Sequence, residues 1–203
     1  MGINGSMLKS DIEISNGFVA ALDEAGRGSL AGPVFAAAVI LPKDFNSELI
    51  KDSKKLSEKK RQKALKEIEE NALAWSVQLV DVEDIDKYNI QNATFGAMNK
   101  AIGELSVKPE HILVDGNVFE SYDDIPFTCV IKGDNEYLSI AAASIVAKVY
   151  RDEYMNLLDE KFPGYGWKKN KGYGSKGHID VIKEDGMTKY HRKTFLKKIL
   201  THA

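Results

Sequence analysis

The chain has 203 residues, 43% apolar and 29% charged, with a formal net charge of −2 at pH 7. That is enough apolar material for one sizeable core, and no run approaches the ~18 apolar residues a membrane-spanning helix needs, so a soluble protein with no membrane partner is expected. The single cysteine, Cys129, excludes an internal disulfide and a thiolate zinc site, and a cytoplasmic address fits that usage.

Residues 1–16 begin Met1-Gly2-Ile3-Asn4-Gly5-Ser6-Met7, with neither the basic start nor the apolar stretch of a secretory signal, and read as an N-terminal tail. Residues 18–22, bounded by Gly17, read as a strand with Asp23 and Glu24 emerging at or near its end, before Gly26-Arg27-Gly28. A second apolar run covers 33–41 and is closed by Pro42; a polar loop with Asp52-Ser53-Lys54-Lys55-Leu56 follows. Ser57 is placed to cap a helix reaching about residue 70, with Leu65 and Ile68 at helical spacing. Residues 74–80 alternate as a strand, and 84–105 read as helix with a break near Asn89. Residues 111–114 form a short buried strand ending at Asp115-Gly116-Asn117, and 127–131 another ending at Lys132-Gly133-Asp134. A long helix is expected over about 136–162, where Ala141, Ala142, Ala143 and Ala147 allow close approach to a sheet. This order predicts an α/β body over 17–162, a mixed sheet covered by helices, followed over 163–203 by a basic loop and one or two helices.

The near-neutral total hides an asymmetry. From Lys161 onward stand eleven Lys or Arg against three acids, Asp180, Glu184 and Asp185, a formal +8 that leaves −10 on residues 1–160. A basic end of this kind suits contact with a polyanion, and it equally suits lysines on solvated helix faces. The acid-rich remainder would repel nucleic acid unless cations intervene.

Asp115 and Asp134 each follow a predicted strand at once, as Asp23 and Glu24 do, so three separated segments are placed to deliver carboxylates to one side of one sheet. Strand ends about 5 Å apart bring such groups within reach of a small cation. Two unit charges at roughly 4 Å repel by about 4 kcal/mol at an effective dielectric near 20, so an unmetallated cluster is costly or holds protons. Oxygen ligands without matched histidines or cysteines point to Mg²⁺ or Mn²⁺ rather than zinc. Neighbouring side chains on a strand face opposite ways, so Asp23 and Glu24 reach one ion only through a twist or bend. Taken alone, the Asp-Glu pair also reads as a charged strand-to-turn junction with glycines for tight turning.

Several segments together carry a resemblance. Asp23-Glu24-Ala25-Gly26-Arg27-Gly28 with Ala31-Gly32-Pro33-Val34, then Asp52-Ser53-Lys54-Lys55-Leu56, Asp115-Gly116-Asn117 and Lys132-Gly133-Asp134 are the first part of it. Ser139-Ile140-Ala141-Ala142-Ala143-Ser144 through Lys148 and Arg151-Asp152, and Asn170-Lys171-Gly172-Tyr173-Gly174 with His178, complete it. In order and spacing over about 17–195 they resemble bacterial type 2 ribonuclease H, the ribonuclease HII family. Each motif is weak alone, and their ordered combination is highly specific.

The resemblance implies a ribonuclease H-like fold and an endonuclease that cuts RNA in RNA/DNA hybrids and at single ribonucleotides embedded in duplex DNA. It implies Asp23, Glu24, Asp115 and Asp134 as ligands of two Mg²⁺ or Mn²⁺ ions, in-line hydrolysis, and products with 5′-phosphate and 3′-hydroxyl ends. Gly26, Arg27 and Gly28 would sense the ribose 2′-hydroxyl through closely approaching backbone, or else form a simple turn. Tyr173 would stack on the following deoxyribose, or else pack on the surface. Lys54 and Lys148 match phosphate-contact positions but read on charge alone as solvated lysines. Asp152, beside Arg151, suits a salt bridge or an outer-shell contact, and His178 and His191 could touch phosphate. The chain is expected to act as a monomer.

Alternatives within the superfamily are a type 3 ribonuclease H or a junction resolvase, and the roughly 16 residues before the first strand are too few for the type 3 enzymes' extra domain. A non-catalytic hybrid-binding module would not need all four acids. Gly26–Gly32 lacks the Gly-Lys-Ser/Thr ending of a nucleotide-triphosphate loop. A histidine-driven ribonuclease would leave a cyclic phosphate, which end-group analysis separates.

Overall fold

The apolar runs of the sequence become the strands of one sheet. In the computed structural model, which describes residues 8, 9, 11, 12, 14, 17–50 and 56–200, these are β1 (Val19–Ala25), β2 (Val34–Ile40), β3 (Ala74–Val80), β4 (His111–Asp115) and β5 (Phe127–Val130). They lie in the order β3-β2-β1-β4-β5. β2 pairs antiparallel with both β1 and β3, whereas β1, β4 and β5 run parallel. β2 is buried at every position, which is why it reads as a continuous apolar run rather than as an alternation.

β1 extends further than its apolar run. The expected strand over 18–22 starts one residue later, since Phe18 is exposed, and continues through the acids to Ala25. The reason is pairing: Asp23 lies opposite Ala37, Glu24 opposite Ala36 and Ala25 opposite Phe35 on β2. Asp23 and Glu24 are therefore strand residues.

Helices cover both faces. α1 (Glu58–Asn71) starts where Ser57 accepts the Lys60 amide, as its cap position predicts. α1 and α4 (Leu138–Lys161) enclose one core with Ala37, Val39, Ile68, Ala142 and Ile145. Ala141, Ala142, Ala143 and Ala147 are fully buried, and their small side chains let α4 lie close to β1 and β2. On the other face Leu22, Ala36, Ala38 and Val114 pack against Met98 and Ala101. Those two residues belong to α3 (Ile90–Gly103), which follows α2 (Val82–Tyr88). Among the described residues no helix is long and apolar enough to cross a membrane.

Beyond α4 the chain forms α5 (Trp167–Asn170), α6 (Lys176–Asp185) and α7 (Lys193–Leu200), three helices where one or two were expected. They fold back on the β1–β2 loop. Trp167 packs with Ala31, Met155 and Leu158, while Leu30 packs with Ile182 and Leu196. The amides of Leu30 and Ala31 both donate to the Gly172 carbonyl, at 2.8 and 3.2 Å. The basic end is thus built onto the segment that follows the acids, and one of its eleven cations, Arg192, is fully buried.

The break expected near Asn89 separates α2 from α3. Asn89 has φ 71° and its side chain accepts the Asn92 amide at 3.1 Å, which starts α3. Asn89→Ala loses the cap and meets the positive-φ penalty, so urea unfolding is expected to show a loss of about 1–2 kcal/mol. Asn89→Gly, which relieves the backbone, is expected to stay within roughly 0.5 kcal/mol of the parent.

Candidate active site

The parallel pairing of β1 and β4 brings the acids together. The ladder sets Ala21 against Leu113 and Leu22 against Val114, and the next residues along the two strands are Asp23 and Asp115. Strand alternation places Asp23 with Val19 and Ala21, and Asp115 with Leu113, on the face covered by α4. Asp23 is only 6% exposed. Burial is the main reason its carboxyl is raised well above 3.8; the neighbouring carboxylates of Glu24 and Asp115 push it further, and the Ser144 hydroxyl and the Glu24 amide partly offset them. Burial also raises Glu24, and Asp115 adds to this, while Arg27 opposes it from 3.5 Å.

Asp134 is carried to the end of β4 by a turn. It does not stand directly after β5, as expected, but in a 3₁₀ turn over Gly133–Asn135 that leads into α4. The Gly133 amide donates to Asp115 Oδ1 at 2.7 Å, which ties this turn to the end of β4.

A cleft of about 400 Å³ opens beside the acids, lined by Glu24, Arg27, Gly28, Arg61, Lys148 and Tyr173 among others; Asp23, Asp115 and Asp134 do not line it. Lys148 holds Asp152 at 2.5 Å, so the salt bridge expected of Asp152 is made with Lys148 and not with Arg151. Lys54, expected at a phosphate position, lies outside the described residues. Arg61 and Ser144 were not singled out by sequence: Arg61 reaches the cleft from α1 while donating to the Leu56 carbonyl, and nothing in its local pattern marks it. Ser144 could have been found as the polar residue on the sheet-facing side of an alanine-rich helix.

Gly26, Arg27 and Gly28 are held from beneath by two buried arginines. Arg192 donates to the carbonyls of Arg27 and Gly32, and Arg151 to the Ser29 hydroxyl and the carbonyls of Ala31 and Pro33. Among the described residues neither arginine has a carboxylate within salt-bridge distance, and Arg151 Nη1 has no hydrogen-bond partner. Burial lowers both, Arg192 to about 9 with Arg151 as the second cause. Gly26 is required here: its φ is +94°, and a Cβ would sit 1.9 Å from Arg151 Nε. Gly28 faces the cleft, where a Cβ would lie 4.0 Å from Tyr173 Cε1. Tyr173 is 41% exposed, with the Arg151 guanidinium 5.5 Å from its ring centre.

His178 and His191 do not serve as the phosphate contacts considered for them. Each is 1% exposed, and they bond to one another at 3.1 Å inside the C-terminal core.

The donor chemistry at the acid corner fits a hard divalent cation: the groups there are carboxylates, one deeply buried and pushed toward its proton by burial and by like charges that a cation would neutralise. Among the described residues no three Asp, Glu, His or Cys side chains converge closely enough to hold an ion unaided. Mg²⁺ does not demand such a cage, because it keeps waters and takes substrate phosphate oxygens beside one or two carboxylates.

Comparison with known proteins identifies the family and the fold. The family model described as Ribonuclease HII matches residues 20–198. The ribonuclease HII of Bacteroides thetaiotaomicron is 60% identical over 176 residues, covering 87% of this chain and 88% of its own length. The solved ribonuclease H2 of Pyrococcus horikoshii OT3 superposes with a TM-score of 0.77 at 26% identity, over 91% of this chain and 98% of that one. Bst-RNase HIII, solved in complex with Mn²⁺, gives a TM-score of 0.72 over 98% of this chain and 71% of that one; at 20% identity this likeness speaks for the fold alone.

Two expectations follow from the site's physics. Because Asp23 holds its proton more tightly folded than unfolded, metal-free stability falls as pH rises from about 3.8 through the raised value. At pH 7.5 in chelator, Asp23→Asn is therefore expected to melt at least about 2 °C above the parent, and added Mn²⁺ to raise the parent's Tm while leaving the variant's in place; calorimetry that finds the variant less stable in chelator removes Asp23 from the repulsive cluster. Gly26→Ala, which displaces Arg151 and strains φ, is expected to cost about 1–3 kcal/mol in urea unfolding, against less than about 0.5 kcal/mol for Gly28→Ala.

Proposed function

The chain belongs to the ribonuclease HII family of metal-dependent nucleases, and from that premise we propose that it hydrolyses RNA in RNA/DNA hybrids and incises duplex DNA at single embedded ribonucleotides, acting as a monomer. The observation that carries the reading is the buried carboxyl of Asp23 beside the half-buried, repelling Asp115 at the end of the parallel ladder, next to the Gly28–Tyr173 cleft.

In this reading Asp23, Glu24, Asp115 and Asp134 hold two Mg²⁺ or Mn²⁺ ions together with phosphate oxygens of the substrate. When bound, such ions supply activation of the attacking water and relief of charge at the departing 3′ oxygen. The protein does the rest by placement. Glu24, which would share in holding the ions, lies between the Arg27 guanidinium at 3.5 Å and the Asp115 charge, and the half-exposed Arg27 would be available to the nucleic-acid backbone. The Gly26-Arg27-Gly28 backbone, fixed by Arg151 and Arg192, presents amides and carbonyls to a 2′-hydroxyl, the group that distinguishes RNA from DNA. Tyr173, opposite Gly28, stacks on the next sugar, where a further 2′-hydroxyl would collide. Lys148 on the cleft wall, Lys54 and the exposed lysines between residues 163 and 197 draw the phosphate backbone. The burial of His178 and His191 disfavours the histidine-driven alternative.

The test is cleavage of duplex DNA carrying one ribonucleotide, with Mg²⁺, Mn²⁺ or chelator, followed by mapping of the cut and its ends. We expect incision on the 5′ side of the ribonucleotide, 5′-phosphate and 3′-hydroxyl ends, no cleavage in chelator, and loss of at least about 10³-fold in rate for Asp115→Asn with the fold retained. A cyclic phosphate product, or full activity of Asp115→Asn, contradicts the reading.

A further inference from the structure

The residues that fix Tyr173 lie behind it, in a part of the molecule the cleavage chemistry does not use. His178 Nδ1 is 2.9 Å from the Tyr173 carbonyl and its Nε2 is 3.1 Å from His191 Nε2. Trp167 Nε1 points at the same His178 Nε2 from 3.0 Å, and the Thr188 amide points at His191 Nδ1 from 2.9 Å. Tyr165 and Trp167 close the surroundings, with ring centres 4.9 and 5.3 Å from that of His191.

The proton positions follow from the partners. A tryptophan N–H and a backbone N–H only donate, and a carbonyl only accepts. The Thr188 amide therefore requires a bare Nδ1 on His191, whose proton sits on Nε2 and points at His178. Trp167 independently requires a bare Nε2 on His178, whose proton sits on Nδ1 and points at the Tyr173 carbonyl. The two constraints start from opposite ends and agree. A proton added to His178 Nε2 would face two donors, and one added to His191 Nδ1 would face the Thr188 amide; the Thr188 hydroxyl, 3.0 Å from that nitrogen and accepting the Tyr190 amide, has its own proton to donate there. Burial lowers both imidazoles, His191 to about 4, in accord with two neutral rings.

We infer that His178 is a positioning residue for Tyr173: one directed chain of hydrogen bonds, from the Thr188 amide through His191 and His178 to the Tyr173 carbonyl, sets where the Tyr173 ring stands against Gly28 and hence against the substrate sugar. The inference rests on the proposed role of Tyr173 at the ribonucleotide. Other bonds already fix the ends of this loop, since the Tyr173 amide donates to the Asn170 carbonyl and the Gly172 carbonyl receives the Leu30 and Ala31 amides. The Tyr173 carbonyl takes a second donor, the Ser175 amide, at 2.8 Å, so His178 contributes the one side-chain anchor there.

Two substitutions divide the functions of the ring. An asparagine amide falls near the Nδ1 position and keeps a donor for the Tyr173 carbonyl; a glutamine amide falls near Nε2 and keeps the Trp167 and His191 contacts while losing Tyr173. Both lower the Tm, and His178→Asn, which leaves the larger gap, lowers it at least as much. On duplex DNA with one ribonucleotide and saturating Mn²⁺, His178→Gln is expected to lower kcat by about 10- to 100-fold with KM within about threefold of the parent, and His178→Asn to restore kcat to within about threefold. A merely structural histidine predicts the reverse order, following Tm; that order, or equal kcat for the two variants, overturns the inference. Nitrogen NMR of the parent imidazoles reads the chain without any substrate: His178 protonated on Nδ1 and His191 on Nε2 at pH 7 supports it, and any other tautomer pair overturns it. A parent that leaves the ribonucleotide uncut refutes the proposed function instead, and the tautomers still decide the hydrogen-bond chain.

Discussion

The structure turns on an unfavourable contact. Parallel pairing ends with Leu22 beside Val114, and the chain places Asp23 and Asp115 just beyond, on the face that α4 covers. Packing of the alanines of α4 against β1 and β2 removes water from Asp23, and burial with two carboxylate neighbours is the least comfortable setting for an anion. The cation of the proposed function would relieve that repulsion. Ser144 and the Glu24 amide soften the repulsion without cancelling it.

Around that corner the protein uses backbone rather than acids to hold its cations. Arg151 and Arg192 are buried with carbonyls as their main partners, so they immobilise the Gly26–Gly32 segment without adding further negative charge near the site. The same segment accepts the C-terminal helices through Leu30, Ala31 and Gly172. Through Tyr173 this basic end supplies part of the cleft wall as well as positive charge. Tyr173 stands where the two meet.

Much of this was legible in the sequence, for identifiable reasons. β2 and the short strands announced themselves by apolar runs bounded by glycine, proline and acids, and Asn89 announced a break because an N-capping asparagine interrupts the 84–105 pattern. The apolar pattern ends β1 too early, because its last three positions are held by backbone pairing with Ala37, Ala36 and Phe35 of β2 and not by side-chain hydrophobicity. Asp134 is expected directly after a strand, whereas it lies within a 3₁₀ turn, invisible to period-two patterning, that begins beyond the end of β5. Asp23, Glu24 and Asp115 stand out in the sequence because they lie at the ends of the apolar strands β1 and β4; the arginines beneath the glycine loop do not, because their partners are carbonyls distant in sequence, and a charge count assigns every arginine to the surface. The two histidines were uninformative for the same reason: burial and a shared nitrogen contact are tertiary facts.

The central claim is that the Asp23–Asp115 corner is built around a divalent ion. Anomalous diffraction from crystals grown with Mn²⁺ and a non-cleavable duplex carrying one ribonucleotide tests it most directly. The account requires a manganese peak within about 2.0–2.3 Å of carboxylate oxygens of both Asp23 and Asp115. With the duplex bound in the Gly28–Tyr173 cleft, a peak elsewhere or no peak beside these two residues would contradict it.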